Sequence, residues 1–322
     1  MRFIVYGVGA IGGTLAAKLG ASGAEVAGIA RGAQLEALRR DGLLLRTPSG
    51  ETRHRFPVAA HPGELALRPD DIVLLAVKSQ DTVAALEALG EAGVREQAIV
   101  CAQNGVSNER EALRRFANVY AMLVVMPATF IRAGEVAAFG APHAGLFDIG
   151  RYPSGTDAMV ATIVDALNTA GFAAFAQQQP MQSKYGKLLM NLGNVVDAAA
   201  GDTEQNNDLL KRARAEGEAV LRAAGIAFSD MGPDNERRRR LMQVRKVEGA
   251  ERVGSSSAQS LARGAGSIET DYLNGEIVLL GRLHGVPTPV NEGLCRLGRL
   301  LLAQRRPAGS LSLAEIESII AA

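Results

Sequence analysis

The chain has 322 residues, 47% hydrophobic and 21% charged, with a formal net charge of +1. That length exceeds what one compact domain usually holds and points to two domains, while the balanced charge offers no general field for nucleic acid, membrane or acidic partners. Two cysteines, Cys101 and Cys295, exclude a disulfide framework, and the scattered His54, His61, His143 and His284 have no metal-ligand spacing, so no metal is expected.

The chain enters a short apolar run at residues 3–6, which reads as a buried strand. No targeting segment is expected ahead of it. No uninterrupted apolar run reaches the roughly 18 residues of a spanning helix, and a reduced, cytoplasmic, soluble protein is expected. Further strands are expected at 25–29, 72–77, 98–102 and 119–125, with amphipathic helices at 14–21, 33–40, 82–92 and 109–116. This alternation predicts right-handed crossovers and a mainly parallel sheet. Residues 57–69 form a turn-rich separator, and 134–150 read as a hairpin or meander on the far edge. After Pro180 the pattern becomes helical, at 181–200, 204–224, 266–283 and 291–302, with almost no strand signal.

Gly7-Val8-Gly9-Ala10-Ile11-Gly12 follows a strand and opens a helix, the context that gives a GxGxxG pattern its meaning. Gly7 permits a tight turn, Gly9 lets the backbone approach a pyrophosphate, and Gly12 allows close helix–strand packing. The second strand ends in Gly28-Ile29-Ala30-Arg31 with no carboxylate for ribose hydroxyls. A guanidinium there suits a 2′-phosphate, so NADP(H) is the expected cofactor. The fold class expected is therefore α/β, an N-terminal Rossmann domain over residues 1–178 followed by an all-helical C-terminal domain over 179–322. Substrate would meet cofactor in the crevice between them.

Lys187 and Asn191 lie four apart, on one face of a helix, among Leu188, Leu189, Met190 and Leu192. A lysine so placed is either desolvated, which eases loss of its proton, or snorkels its head to water. Lys78 follows a buried strand, where ligands gather in open α/β sheets, though a lysine capping a strand end is commonplace. Asn104 precedes Gly105, a pair that often only marks a turn. Glu269, like Asp271 and Asn274, can complement the dipole of the helix it opens. The run Arg237-Arg238-Arg239-Arg240, with Arg245 and Lys246, reads as a solvated face, and His284 as structural.

These motifs, with Val77-Lys78-Ser79-Gln80, Gln103-Asn104-Gly105, Lys187–Asn191, Ser255-Ser256-Ser257-Ala258-Gln259, residues 269–275 and 284–289, resemble the ketopantoate reductase (2-dehydropantoate 2-reductase) family along nearly the whole chain. The resemblance implies NADPH-dependent reduction of a small-molecule 2-keto acid, ketopantoate itself, to pantoate in pantothenate biosynthesis. It makes Lys187 the general acid, Glu269 its partner and Asn191 a substrate ligand, with Lys78 and Asn104 beside the nicotinamide. A serine of the run would touch substrate. Counting from Gln259 favours Ser256 and counting from Glu269 favours Ser257, a gap that implies a one-residue insertion around 264–267.

The chain also departs from the family pattern. Val195 stands where the family often has a second Asn, with Asn194 one place early. Tyr185-Gly186 replaces the usual aromatic before the lysine, and residues 125–129 lack a polar, Gly-containing pattern. Asn194 and the serines then become candidates for the substrate carboxylate. A different 2-keto or hydroxy acid on the same fold, or a nucleotide sensor without turnover, are the competing readings. The Leu- and Ala-rich helical half is compatible with a homodimer.

Overall fold

A computed structural model describes residues 1–201, 207–232, 234–252, 254–264 and 266–321. The chain divides into two compact units. One comprises Met1–Asn104, Asn108–Ser183 and Pro233–Arg252, and the other Gly105–Ser107, Lys184–Gly232 and Val253–Ala322. The start of the helix expected at 204–224 and position 265 of the expected insertion lie outside the described residues.

In the first unit β1 (Arg2–Tyr6), α1 (Ala10–Ala21), β2 (Glu25–Ile29) and α2 (Gly32–Asp41) come first. A hairpin of β3 (Leu43–Thr47), with Leu43 and Leu45 buried, and the polar β4 (Gly50–His54) follows, then the short β5 (Val58–Ala59). Next come β6 (Asp71–Leu75), α3 (Thr82–Glu91), β7 (Ala98–Cys101), α4 (Asn108–Leu113) and β8 (Val119–Val125). The unit continues with β9 (Ala128–Arg132), β10 (Glu135–Ala138), β11 (Gly140–Pro142), β12 (Leu146–Arg151), α5 (Ala158–Thr169) and β13 (Ala173–Ala176).

The main sheet has the order β13-β12-β8-β7-β6-β1-β2-β5, parallel except where β12 meets β8. Its central strands are buried on both faces, which is why they read as continuous apolar runs. Phe3, Leu15, Leu19, Leu74 and Val100 pack on one side of the sheet, and Ile4, Leu75, Leu86, Leu89 and Ile99 on the other.

Residues 134–150 do not form the edge hairpin expected. β10 joins a four-stranded sheet, β4-β3-β10-β9, while β12 sits inside the main sheet between β13 and β8. The burial of Leu146, Phe147, Asp148 and Ile149 on both faces is the physical reason, since an edge meander would leave one face wet.

The second unit contains α7 (Asn194–Ala200), α8 (Asn207–Ala223), α10 (Ser256–Ala262), α11 (Thr270–His284), α12 (Pro289–Ala303) and α13 (Leu313–Ala321). α6 (Pro180–Asn191) runs into it. The single helix expected at 181–200 is broken after Asn191 into α6 and α7, and at the break Gly193 lies against Leu210, which a β-carbon there would meet at 2.8 Å.

Between these helices α9 (Glu236–Leu241) and β14 (Met242–Val244) belong to the first unit, where β14 pairs antiparallel with β11. Arg237 is also not part of a solvated face. It donates at 2.7 Å to the buried Asp148 and lies 5.0 Å above the Phe175 ring.

Candidate active site

Tyr6 is in register with Ile29 on one side and Leu75 on the other, and Leu75 with Cys101. The loops after β1, β2, β6 and β7 therefore leave the same carboxyl edge of the sheet. The chain switches sides at β1, with β2 to one flank and β6 to the other, which is where open α/β sheets bind ligands.

Gly7 adopts φ +99°, and a β-carbon there would meet the Val77 nitrogen at 2.8 Å. Gly12 packs on the turn itself, its virtual β-carbon only 2.1 Å from the Gly7 carbonyl oxygen. Gly9 differs, for nothing lies within 4 Å of where its β-carbon would be. It is the N-cap of α1, whose first turn has neither a side-chain cap nor an acidic residue. Open space in front of an uncapped helix N-terminus fits a phosphate group.

Val8 is buried beneath the turn and Ala10 and Ile11 begin the helix. The Gln34 side chain, which the sequence reading passed over, donates to the Val8 carbonyl at 2.8 Å and accepts from the Gly134 amide at 2.7 Å, bracing the turn from behind.

Arg31 stands at the end of β2 as the N-cap of α2. Its Nη2 lies 3.2 Å from both oxygens of Asp81. Tyr6, just before the glycine turn, feels both charges. Burial pushes its hydroxyl up, with Arg31 pulling down and Asp81 pushing up.

Lys78 precedes the short turn Ser79–Asp81, and Asn104 follows β7. A buried polar network joins their loops. Gln103 donates to the Val77 carbonyl and to Thr82 Oγ1, at 2.9 and 2.8 Å. Thr82 donates to Asn108 Oδ1 at 2.8 Å, and Asn108 Nδ2 donates to the Asn104 carbonyl at 2.9 Å. Thr82 and Asn108 were not anticipated. Their signal was positional, since a polar residue beside a buried strand needs a partner.

In the second unit Lys187 and Asn191 lie one turn apart at the end of α6. Lys187 is half-buried, and the Asn191 Nδ2 is buried with no hydrogen-bond partner among the described residues. The break after α6 frees the Leu192 carbonyl, which accepts from Asn274 Nδ2 at 3.0 Å. That same nitrogen donates to Asn291 Oδ1, and Asn291 donates to the Ala213 carbonyl and to Glu216. Asn274 is thus buried in this network instead of serving the helix dipole. Gly186 has a steric reason, because a β-carbon there would lie 1.6 Å from the Ser229 carbonyl oxygen.

Asn194 opens α7 and Ser255 caps α10. The Ser255 hydroxyl donates to the Asn194 carbonyl at 3.0 Å and accepts from the Ala258 amide at 3.2 Å. The structure so brings Asn194 beside the serine run and commits Ser255 to the cap. Ser256 is half-buried and Ser257 buried, while Val195 is core. Glu269 is buried at the start of α11 without capping it by its side chain. Among the described residues no cluster of ligating side chains could hold a metal, and no helix is long and apolar enough to cross a membrane.

Two family models match the chain, "Ketopantoate reductase PanE/ApbA" over residues 3–153 and "Ketopantoate reductase PanE/ApbA C terminal" over residues 180–301. The 2-dehydropantoate 2-reductase of Halobacterium salinarum is 32% identical over 319 residues, covering 95% of this chain and 99% of that protein. That of Pyrococcus horikoshii is 26% identical over 299 residues, covering 90% and 94%. The crystal structure of a PanE/ApbA family ketopantoate reductase from Ralstonia eutropha matches with a TM-score of 0.77 at 26% identity, over 95% of this chain and 100% of that one. With both halves matched in order, the chain belongs to the ketopantoate reductase family.

Proposed function

We propose that the protein reduces ketopantoate to pantoate with NADPH, with Lys187 as the proton donor. The observation that carries this reading is the Asn191 amide, a buried donor without an acceptor among the described residues, one helical turn from a half-buried lysine. Leaving a buried N–H unsatisfied costs about 1–3 kcal/mol, a cost that a bound substrate oxygen removes.

The glycine turn Gly7–Gly12 would hold the pyrophosphate at the uncapped N-terminus of α1, and Arg31 would receive the 2′-phosphate. Lys78 and Asn104 line the nicotinamide side. A reduced nicotinamide bound there would supply hydride to the keto carbon. Negative charge then grows on the carbonyl oxygen, and the Lys187 ammonium stabilises it and gives up a proton. Asn191 holds the substrate by its amide, Asn194 with Ser256 or Ser257 binds the carboxylate, and Glu269 keeps the lysine placed and charged.

A second reading, another 2-keto acid on the same machinery, is favoured by Val195, whose buried side chain supplies no donor where the family often has an Asn. NADPH oxidation followed optically with ketopantoate beside simple 2-keto acids tests both. Ketopantoate is expected to give the highest kcat/KM, and a better substrate among the others would overturn the assignment.

A further inference from the structure

Resting on the reading that Arg31 receives the 2′-phosphate, we infer that Asp81 sets how strongly NADPH is preferred over NADH. An NAD-type site carries its acid at the end of the second strand, where this chain has none. The fold returns one from elsewhere. Asp81, at the close of the turn after β6 and the start of α3, places both carboxylate oxygens 3.2 Å from Arg31 Nη2.

The pair is open to exchange. The Arg31 side chain is 84% exposed and that of Asp81 34%, so solvent screens their attraction and a ligand can reach both. The backbone of α3 does not depend on the carboxylate either, since Asp81 makes no side-chain cap there.

One side-chain pair therefore offers two recognitions. A 2′-phosphate takes the guanidinium and must displace, and then sit beside, a like-charged carboxylate. A free ribose instead presents hydroxyls, for which the carboxylate is the acceptor that the end of β2 lacks. Asp81 thus opposes NADPH and assists NADH, narrowing a preference that Arg31 creates.

The test is calorimetric titration of the full chain with NADPH and with NADH, without substrate, for the unsubstituted protein, Arg31→Ala, Asp81→Asn and Asp81→Ser. Both Asp81 substitutions should raise the affinity ratio of NADPH to NADH by at least about threefold, the scale of an exposed ion pair. A purely structural role would move both affinities alike and leave the ratio in place. A ratio unchanged or lowered in both folded Asp81 variants overturns the inference. Arg31→Ala separates the two ideas. If it lowers the ratio while the Asp81 variants do not change it, only the role of Asp81 fails. If Arg31→Ala leaves the ratio intact, the placement of the 2′-phosphate fails, and the inference with it.

Discussion

Asn274 Nδ2 donates at 3.0 Å to the carbonyl of Leu192, the residue that follows Asn191 where α6 ends. The break deprives that carbonyl of a helical partner, and the buried amide replaces it while also bonding Asn291. Asn274→Leu leaves two buried acceptors without this donor and should cost about 2–4 kcal/mol. Thermal unfolding should show a melting temperature lower by at least about 4 °C. An unchanged melting temperature would mean that the break is held by something else.

Asn191→Ala should behave in the opposite way. Its Nδ2 has no partner among the described residues, so truncation should not lower stability, because relief of the unsatisfied donor offsets the lost packing. The KM for ketopantoate should rise by about three- to tenfold, the scale of one lost neutral hydrogen bond. Parallel unfolding and steady-state measurements check this. A variant with a lowered melting temperature and a normal KM would make Asn191 a structural residue.

The two glycines of the turn should separate in the same manner. Gly9→Ala faces open space and should fold normally, yet bind NADPH at least about tenfold more weakly, as when one charge-assisted hydrogen bond is lost. Gly12→Ala brings its β-carbon onto the Gly7 carbonyl oxygen and should impair folding itself. Titration with NADPH and circular dichroism distinguish them. Normal NADPH affinity in Gly9→Ala would place the pyrophosphate elsewhere.

The Asp157 carboxylate accepts from the Val160 amide and the Tyr120 hydroxyl, both at 2.9 Å, and from Arg151 at 3.1 Å. Burial pushes its pKa up, but these three donors outweigh that and hold it below the usual carboxylate range. Tyr120 is pushed up to about 12, by burial first and then by Asp157. A depressed folded pKa gives stability that is present above the unfolded value near 3.9 and lost as pH falls through the folded one. Asp157→Asn should therefore cost about 1 kcal/mol near neutrality, with the gap closing as pH falls below the unfolded value and through the depressed folded one. Urea unfolding across pH checks this, and a gap constant from neutral to acid pH would contradict it.

The parts legible in the sequence were those where one physical demand dominated. Residues 25–29 and 119–125 match strands β2 and β8 because burial on both faces forces an apolar run. β4 went unseen because Gly50–His54 is polar and largely exposed, with pairing supplied by its partner strand. β14 went unseen because Met242–Val244 follows a basic helix and finds its partner, β11, about a hundred residues away. The periodicity of α6 continues into α7, so the break shows only through a distant partner, the Asn274 amide that takes the Leu192 carbonyl. The tight glycine turn between β1 and α1 was readable because its geometry is local. Asp81 was not, because it reaches Arg31 from fifty residues away.

The most direct test of the account is the kcat of Lys187→Ala with ketopantoate and saturating NADPH, beside the unsubstituted protein. A positioned acid contributes about 10²–10⁴-fold in rate, so kcat should fall at least about a hundredfold. NADPH affinity should change little if the lysine acts on the substrate oxygen as proposed. A kcat near that of the unsubstituted protein would mean that Lys187 is not the acid, contradicting the mechanism at its centre.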